Sequence, residues 1–353
     1  DGDAAAEMWD RRMALRAAHG SGADTLGELF NLARTIRFGG PKAALWRHYA
    51  IWKYGHAGSA VAPYLRLGLT FDIPDFQRDL ASAVARTAGS TGLSSATVAR
   101  AVAALETGRA AEGLAALDSA AVLIPTREMQ LQRLEWRVLP PVLGLPIADS
   151  ADVARARVAM TRLADSESAF PWTARAQWAL GMDAVHRGDV IAARHWLEAL
   201  AATEDSTAPL LRAVLRAFLT GVNDPGLALA STDTLYLADR GVPTDDPFAR
   251  SALHLARAGW QAALGKDAAA AAELGWYENS DLRGWPQGPP QAGEVDQVLG
   301  VPARVRRAAL LRRVGRSAEA CVLLRRANEL WRHADAHLSG LIGQAQALAR
   351  SCP

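Results

Sequence analysis

His333 and His337 lie four residues apart with Asp335 between them, a spacing at which one helix face could present a metal-binding pair. No third ligand accompanies them and the surrounding residues read as a turn, so they are taken as solvated turn residues. His186 and His195 flank Arg187-Gly188-Asp189, which resembles an adhesion tripeptide. Its place between two helices explains it more simply: Gly188 closes one helix and Asp189 caps the next. Gly259 to Asp267 contains a Gly-Lys pair, but the glycine spacing is wrong for a phosphate loop and no Ser or Thr follows Lys266. Paired carboxylates at Asp245-Asp246 and Glu204-Asp205 fall in loops, where they read as caps or solvated acids. The chain has no Gly-x-Ser-x-Gly elbow, no Cys-x-x-Cys and no Cys-x-x-Cys-His. No catalytic, cofactor or metal constellation emerges, and a protein that is not an enzyme is expected.

The two cysteines, Cys321 and Cys352, carry the remaining chemistry. The residues between them read as two helices, 317–332 and about 336–351, broken near 333–335. In an antiparallel hairpin both cysteines are nearly equidistant from the turn, and a bridge at the open end is geometrically allowed. Two separate buried thiols are the alternative. A formed disulfide places a protein outside the cytoplasm.

Helical periodicity runs through almost the whole chain, and no segment alternates with period two over a strand length. Residues 103–123 show the pattern well: one helix ends at Gly108, and a second puts Leu114, Leu117 and Ala121 on one stripe before Pro125. The same arrangement recurs around Gly188, Gly221, Gly265 and Gly315. These four glycines are 33, 44 and 50 residues apart, as stacked two-helix units with insertions would be. A proline-rich loop is expected at 140–146. Towards the N-terminus, 7–18, 25–37, 42–54, 60–69 and 75–87 read as less regular helices.

On the turn glycines, the small residues of both helices and the closing Pro125, the chain resembles the tetratricopeptide-type α-solenoids over roughly residues 95–351. It departs from them at the Trp and Tyr positions of the first helix. The resemblance implies an all-α fold, a right-handed superhelix of stacked antiparallel hairpins, and binding of proteins along the concave face. The expected divisions are a helical cap or degenerate repeats at 1–92, repeats at 93–275, an aromatic Pro/Gly-rich insertion at 276–302 and a terminal hairpin at 303–353.

The composition is that of a globular protein: half of the 353 residues are hydrophobic, too many for a disordered chain. A net charge of +2 argues against a nucleic-acid binder. That near-neutrality hides a division, because residues 221–300 carry −6 and residues 301–353 carry +7. Two sets of partner-contact residues follow. Trp276, Tyr277 and Trp285 sit in the insertion, and aromatics on long loops commonly anchor interfaces. Arg304, Arg307, Arg312 and Arg313 lie in the basic unit, which either meets an acidic partner or anionic lipid or neutralises the acidic unit before it. The other tryptophans, including Trp46, Trp52, Trp178, Trp196, Trp260 and Trp331, are read as core or groove lining.

No run is long and apolar enough for a membrane span, and Asp1 as first residue leads to the expectation that a targeting segment has been removed. The function expected is a non-catalytic scaffold for other protein subunits. Its expected place is extracytoplasmic (periplasmic) and peripheral to a membrane complex, with the cytoplasm as alternative. No nucleic acid, small-molecule substrate or cofactor is expected. The chain is similar to the extramembrane helical accessory subunits of bacterial photosynthetic reaction-centre and antenna assemblies, which would make its role one of bracing. The block from Gly275 and the helices after it also look like the C-terminal parts of long bacterial signalling proteins. That alternative, a regulatory module, implies reduced cysteines.

Overall fold

A computed structural model of the chain describes residues 32, 33, 36, 43–55, 65, 73–165, 171–233, 246–282 and 290–352. Among the described residues every regular element is helical and no strand occurs. The order begins with α1 (Ala43–Gly55), α2 (Pro74–Ala85), α3 (Ser90–Glu106), α4 (Ala110–Leu123) and α5 (Arg127–Val142). It continues with α6 (Ser150–Ala164), α7 (Pro171–His186), α8 (Val190–Ala202), α9 (Ala208–Gly221) and α10 (Pro225–Ser231). Then come α11 (Pro247–Ala263), α12 (Asp267–Glu273), a 3-10 segment Leu274–Leu282, α13 (Pro290–Arg313), α14 (Ser317–Leu330), a short 3-10 turn Ala336–Leu338, and α15 (Ser339–Ala349).

The hairpins are made by one repeated turn. Gly108, Gly188, Gly265 and Gly315 have φ of 75°, 72°, 73° and 79°, the left-handed region that a side chain disfavours. In each case the glycine N–H donates three residues back and the next N–H donates five back, as in Gly188 to Val185 and Asp189 to Ala184. This Schellman pattern closes the first helix and starts the second. Gly221, expected to be a fifth such turn, has a different job. A Cβ there would come within 2.3 Å of the Trp260 indole, so glycine lets α9 and α11 approach closely. The expected side-chain cap forms, Asp189 accepting from Ala192 N at 3.0 Å, and Asp224 caps α10 in the same way, accepting from Leu227 N at 2.9 Å.

Each helix packs on the next, and the first helices of successive hairpins also meet: α5 on α7, α7 on α9, α9 on α11 and α11 on α13. Apolar burial gathers mainly in two cores. One joins Leu32, Trp46, Tyr54, Phe76, Leu80 and Ala99; the other runs from Val98 to Ala345. The two share α3, which gives Ala96 and Ala99 to the first and Val98, Ala101, Val102 and Leu105 to the second.

Two expectations are corrected. The proline loop at 140–146 is in its first part helix, since α5 continues through Pro140 and Pro141 to Val142, two residues before Gly144, where φ is 85°. The insertion at 276–302 is not a loop in its described parts: 274–282 is 3-10 helix and 290–302 belongs to α13, so a boundary at 302/303 cuts a helix. A proline inside a helix costs about 3 kcal/mol. Around Pro302 that cost is offset by burial of Val295, Val298, Leu299, Val301, Ala303 and Val305, each contributing on the order of 1–3 kcal/mol. Finally, the terminal hairpin does not meet its sequence neighbours alone. α13 packs on α3 as well as on α11, α12, α14 and α15, and Asp335 N donates to Gly108 O at 2.9 Å. The last hairpin therefore contacts an early one.

Trp178, Trp260 and Trp331 are buried as expected, but Trp52 is 66% exposed. Trp52 lies three residues beyond Tyr49 in α1, with their rings 6.3 Å apart.

Candidate functional site

α11 carries a concentrated row of buried polar side chains. Arg250, Ser251, His254 and Arg257 occupy one helical stripe and all are buried. Their partners come from three other elements. Asp296 of α13 accepts from Ser251 Oγ at 2.6 Å and from Arg250 Nη2 at 3.0 Å. Glu273, the last residue of α12, lies 2.6 Å from His254 Nδ1 and 3.7 Å from Arg257 Nε. Arg257 also donates to Thr232 Oγ1 at 2.7 Å and to Asp233 at 3.1 Å, at the end of α10.

Trp276 and Tyr277, expected at an exposed contact loop, close over this stripe. The indole of Trp276 stacks on the His254 imidazole with centroids 4.0 Å apart, and the Arg250 guanidinium sits 5.3 Å from the indole centroid. Tyr277 is fully buried and donates from its hydroxyl to Ser251 O at 2.9 Å. Tyr277 is therefore withdrawn as a contact residue: its ring belongs to the core and its hydroxyl to α11. Trp285 lies outside the described residues.

A second buried cluster stands at the base of the same helix. Arg175 of α7 forms a two-pronged pair with Glu135 of α5, at 3.0 and 2.6 Å. Its Nε is also 3.2 Å from Asp246 Oδ2, and Asp246 caps α11 by accepting from Phe248 N and Ala249 N. Burial pushes the Glu135 carboxyl up to about 7, and the neighbouring Asp246 charge pushes the same way against the pull of Arg175. Burial raises Asp246 too. Further up the interior, Gln297 of α13 donates to Gln77 and Glu106, each at 2.6 Å, joining α13 to α2 and α3.

The basic unit resolves into individual structural partners. Arg304 is buried and paired with Glu278 at 2.8 Å, so it too is withdrawn from a contact surface. Arg307 donates to Ala271 O at 3.1 Å near the C-terminus of α12, and Arg306 donates to Leu143 O at 2.9 Å at the end of α5. Both place positive charge where helix carbonyls are unpaired. Burial pulls the Arg306 guanidinium below its ordinary range. Arg313 is exposed and reaches Asp267 at 2.7 Å. The pairs of Arg304 and Arg313 thus tie the positive end of the chain to the negative stretch before it.

Cys321 and Cys352 form a disulfide, with Cα atoms 5.5 Å apart. Arg312 lies against it: Nη2 is 3.5 Å from Cys352 Sγ and 3.9 Å from Cys321 Sγ, and Nη1 donates to Ser351 Oγ. His333 and His337 are exposed, and Asp335 between them accepts from Ala111 N at 3.0 Å. Among the described residues no group of three or more His, Cys, Asp or Glu is placed to hold a metal ion.

The stripe on α11 is written in the sequence as Arg250-Ser-x-x-His254-x-x-Arg257, a polar face on an otherwise apolar helix. Nothing local in the sequence announces it, because the partners that give it meaning stand 16 to 46 residues away, before and after it in the chain, as with Thr232 and Asp296. Within the stripe Ser251 pairs with Asp296 and His254 with Glu273. Comparison with protein-family models, with curated proteins and with solved structures finds no match to this chain.

Proposed function

We propose that this chain is a non-catalytic helical-repeat scaffold, an accessory subunit that holds other protein subunits together, with its hairpins following the tetratricopeptide pattern. The observation that carries this reading is the set of apolar side chains exposed at and beside the hairpin turns. The hairpin turns from Gly188 to Gly315 expose Ile191 (86%), Val222 (63%) and Leu227 (58%), and also Val190 and Leu264. The helices that carry these turns are neighbours: Gly181 packs on Leu215, and Gly221 packs on Trp260, so α7 meets α9 and α9 meets α11. Where such side chains form one patch, they mark an interaction surface.

No helix among the described residues is long and apolar enough to cross a membrane. The Cys321–Cys352 bridge supports an extracytoplasmic place and favours the scaffold over the regulatory-module reading, which needs reduced thiols. On the resemblance noted in the sequence, a pigmented membrane particle is the first assembly to test.

The test is Ile191→Asp combined with Leu227→Asp in the native source. Native electrophoresis and cross-linking should show the wild-type chain in a larger assembly and the variant released from it. A wild-type chain that migrates alone, near its 37.6 kDa, would overturn the proposal.

A further inference from the structure

The surroundings of the disulfide are uneven in two ways. Cys321 is 2% exposed in α14, whereas Cys352 is only half-buried, just beyond the end of α15. The neighbouring arginines differ as well. Arg304, Arg313 and Arg316 pair with Glu278, Asp267 and Glu319. Among the described residues no carboxylate pairs with Arg312, whose partners are one hydroxyl and the two sulfurs, and whose buried Nε has no acceptor. A guanidinium held on a neutral disulfide gains little from the sulfurs while the bridge is closed. It gains a full partner when either sulfur becomes a thiolate.

We propose that Cys321–Cys352 is a thiol–disulfide exchange site for a dithiol reductant, that Arg312 stabilises both departing sulfurs, and that opening the bridge releases α15. A thiolate of the reductant attacks the accessible Cys352 Sγ. The Cys321–Cys352 bond breaks, and its electron pair leaves on Cys321 Sγ, 3.9 Å from Arg312 Nη2. The second thiolate of the reductant then attacks the reductant sulfur of the mixed disulfide and expels the Cys352 thiolate, 3.5 Å from the same nitrogen. Two electrons pass to the bridge, the reductant becomes a cyclic disulfide, and the two protons its thiols gave up are free to return to the cysteines. A lower leaving-group pKa speeds each departure.

Release of α15 follows from its packing. The helix has 11 residues with Ala345 as its one buried residue, and Leu341, Ile342 and Leu348 only lean on the core. So short a helix is marginal in water by itself. Once untied it uncovers apolar surface on α13 and α14.

The oxidised full-length chain should be reduced with dithiothreitol and the free thiols trapped over time. Arg312→Met should slow reduction about threefold or more and Arg312→Lys should stay within about twofold of wild type. In the reduced wild-type chain the alkylation rate of Cys352 should titrate below the usual thiol value of about 8.5. Amide exchange across 339–349 should rise on reduction. Equal reduction rates for wild type and Arg312→Met, a Cys352 titration at or above the usual value, or unchanged exchange in α15 would each overturn the proposal. If Arg312→Met does not fold, the titration and exchange of the wild-type chain decide it.

Discussion

Glu135 and Asp246 converge on a single guanidinium, that of Arg175, in a place without solvent. Two carboxylates with one cation between them cannot both ionise cheaply, and burial sets Glu135 titrating at about 7. The folded value lies above the unfolded one, so the stabilisation is complete below the ordinary carboxylate range and is lost as pH rises through about 7. The melting temperature is therefore expected to fall between pH 5 and pH 8 by a few degrees, and Glu135→Gln should flatten that fall. A wild-type profile that rises over this window would contradict the assignment. Removing the shared cation is a harsher change: Arg175→Met leaves a buried acid pair uncompensated, at a cost of about 3–5 kcal/mol read from denaturant unfolding. Neither cluster was legible as such. Asp245-Asp246 reads in sequence as a loop acid pair, and nothing local announces that Asp246 points inward to a residue 71 positions earlier, or that Glu135 waits beside it.

At the scale of elements, legibility follows locality. The turns at Gly108, Gly188, Gly265 and Gly315 were readable because a Schellman closure is completed within about six residues. The terminal hairpin is legible for the same reason, and helix length and turn position allow the bridge that forms without deciding it against two separate thiols. The insertion was misread because Pro and Gly signal breaks only in the absence of burial, and α13 is buried on nearly every side over 293–305. The glycine turns also permit a graded test. A Cβ at Gly188 meets open space, so Gly188→Ala should cost only the left-handed strain, about 1 kcal/mol. At Gly108 the same φ is joined by Ala334 Cβ at 2.5 Å and Leu338 Cδ1 at 2.9 Å. Gly108→Ala should therefore cost about 1–3 kcal/mol more, measured as the difference in unfolding free energy between the two variants. Equal costs would mean that the C-terminal turn does not press on Gly108.

For the whole molecule, that contact decides how it unfolds. An open repeat array has only nearest-neighbour interfaces, so its ends fray independently and stability adds along the row. Here Asp335 donates its N–H to Gly108 O and caps α4 by accepting from Ala111 N with its carboxylate, while Gln297 binds Gln77 and Glu106 from the other end of the row. These bonds join residues about 190 to 225 positions apart, which is why no periodicity in the sequence could announce them. The +7 segment is also tied to the −6 segment before it, through Arg304–Glu278 and Arg313–Asp267. A closed array should lose protection at both junction partners together. Asp335→Ala removes one cap, at about 1 kcal/mol, and amide exchange should quicken at 108–111 and at 334–338 in parallel, with α8 and α9 unaffected. Quickening at 334–338 alone would show that the closing contact is too weak to couple the ends, and the chain would then behave as the open solenoid that its repeats suggest.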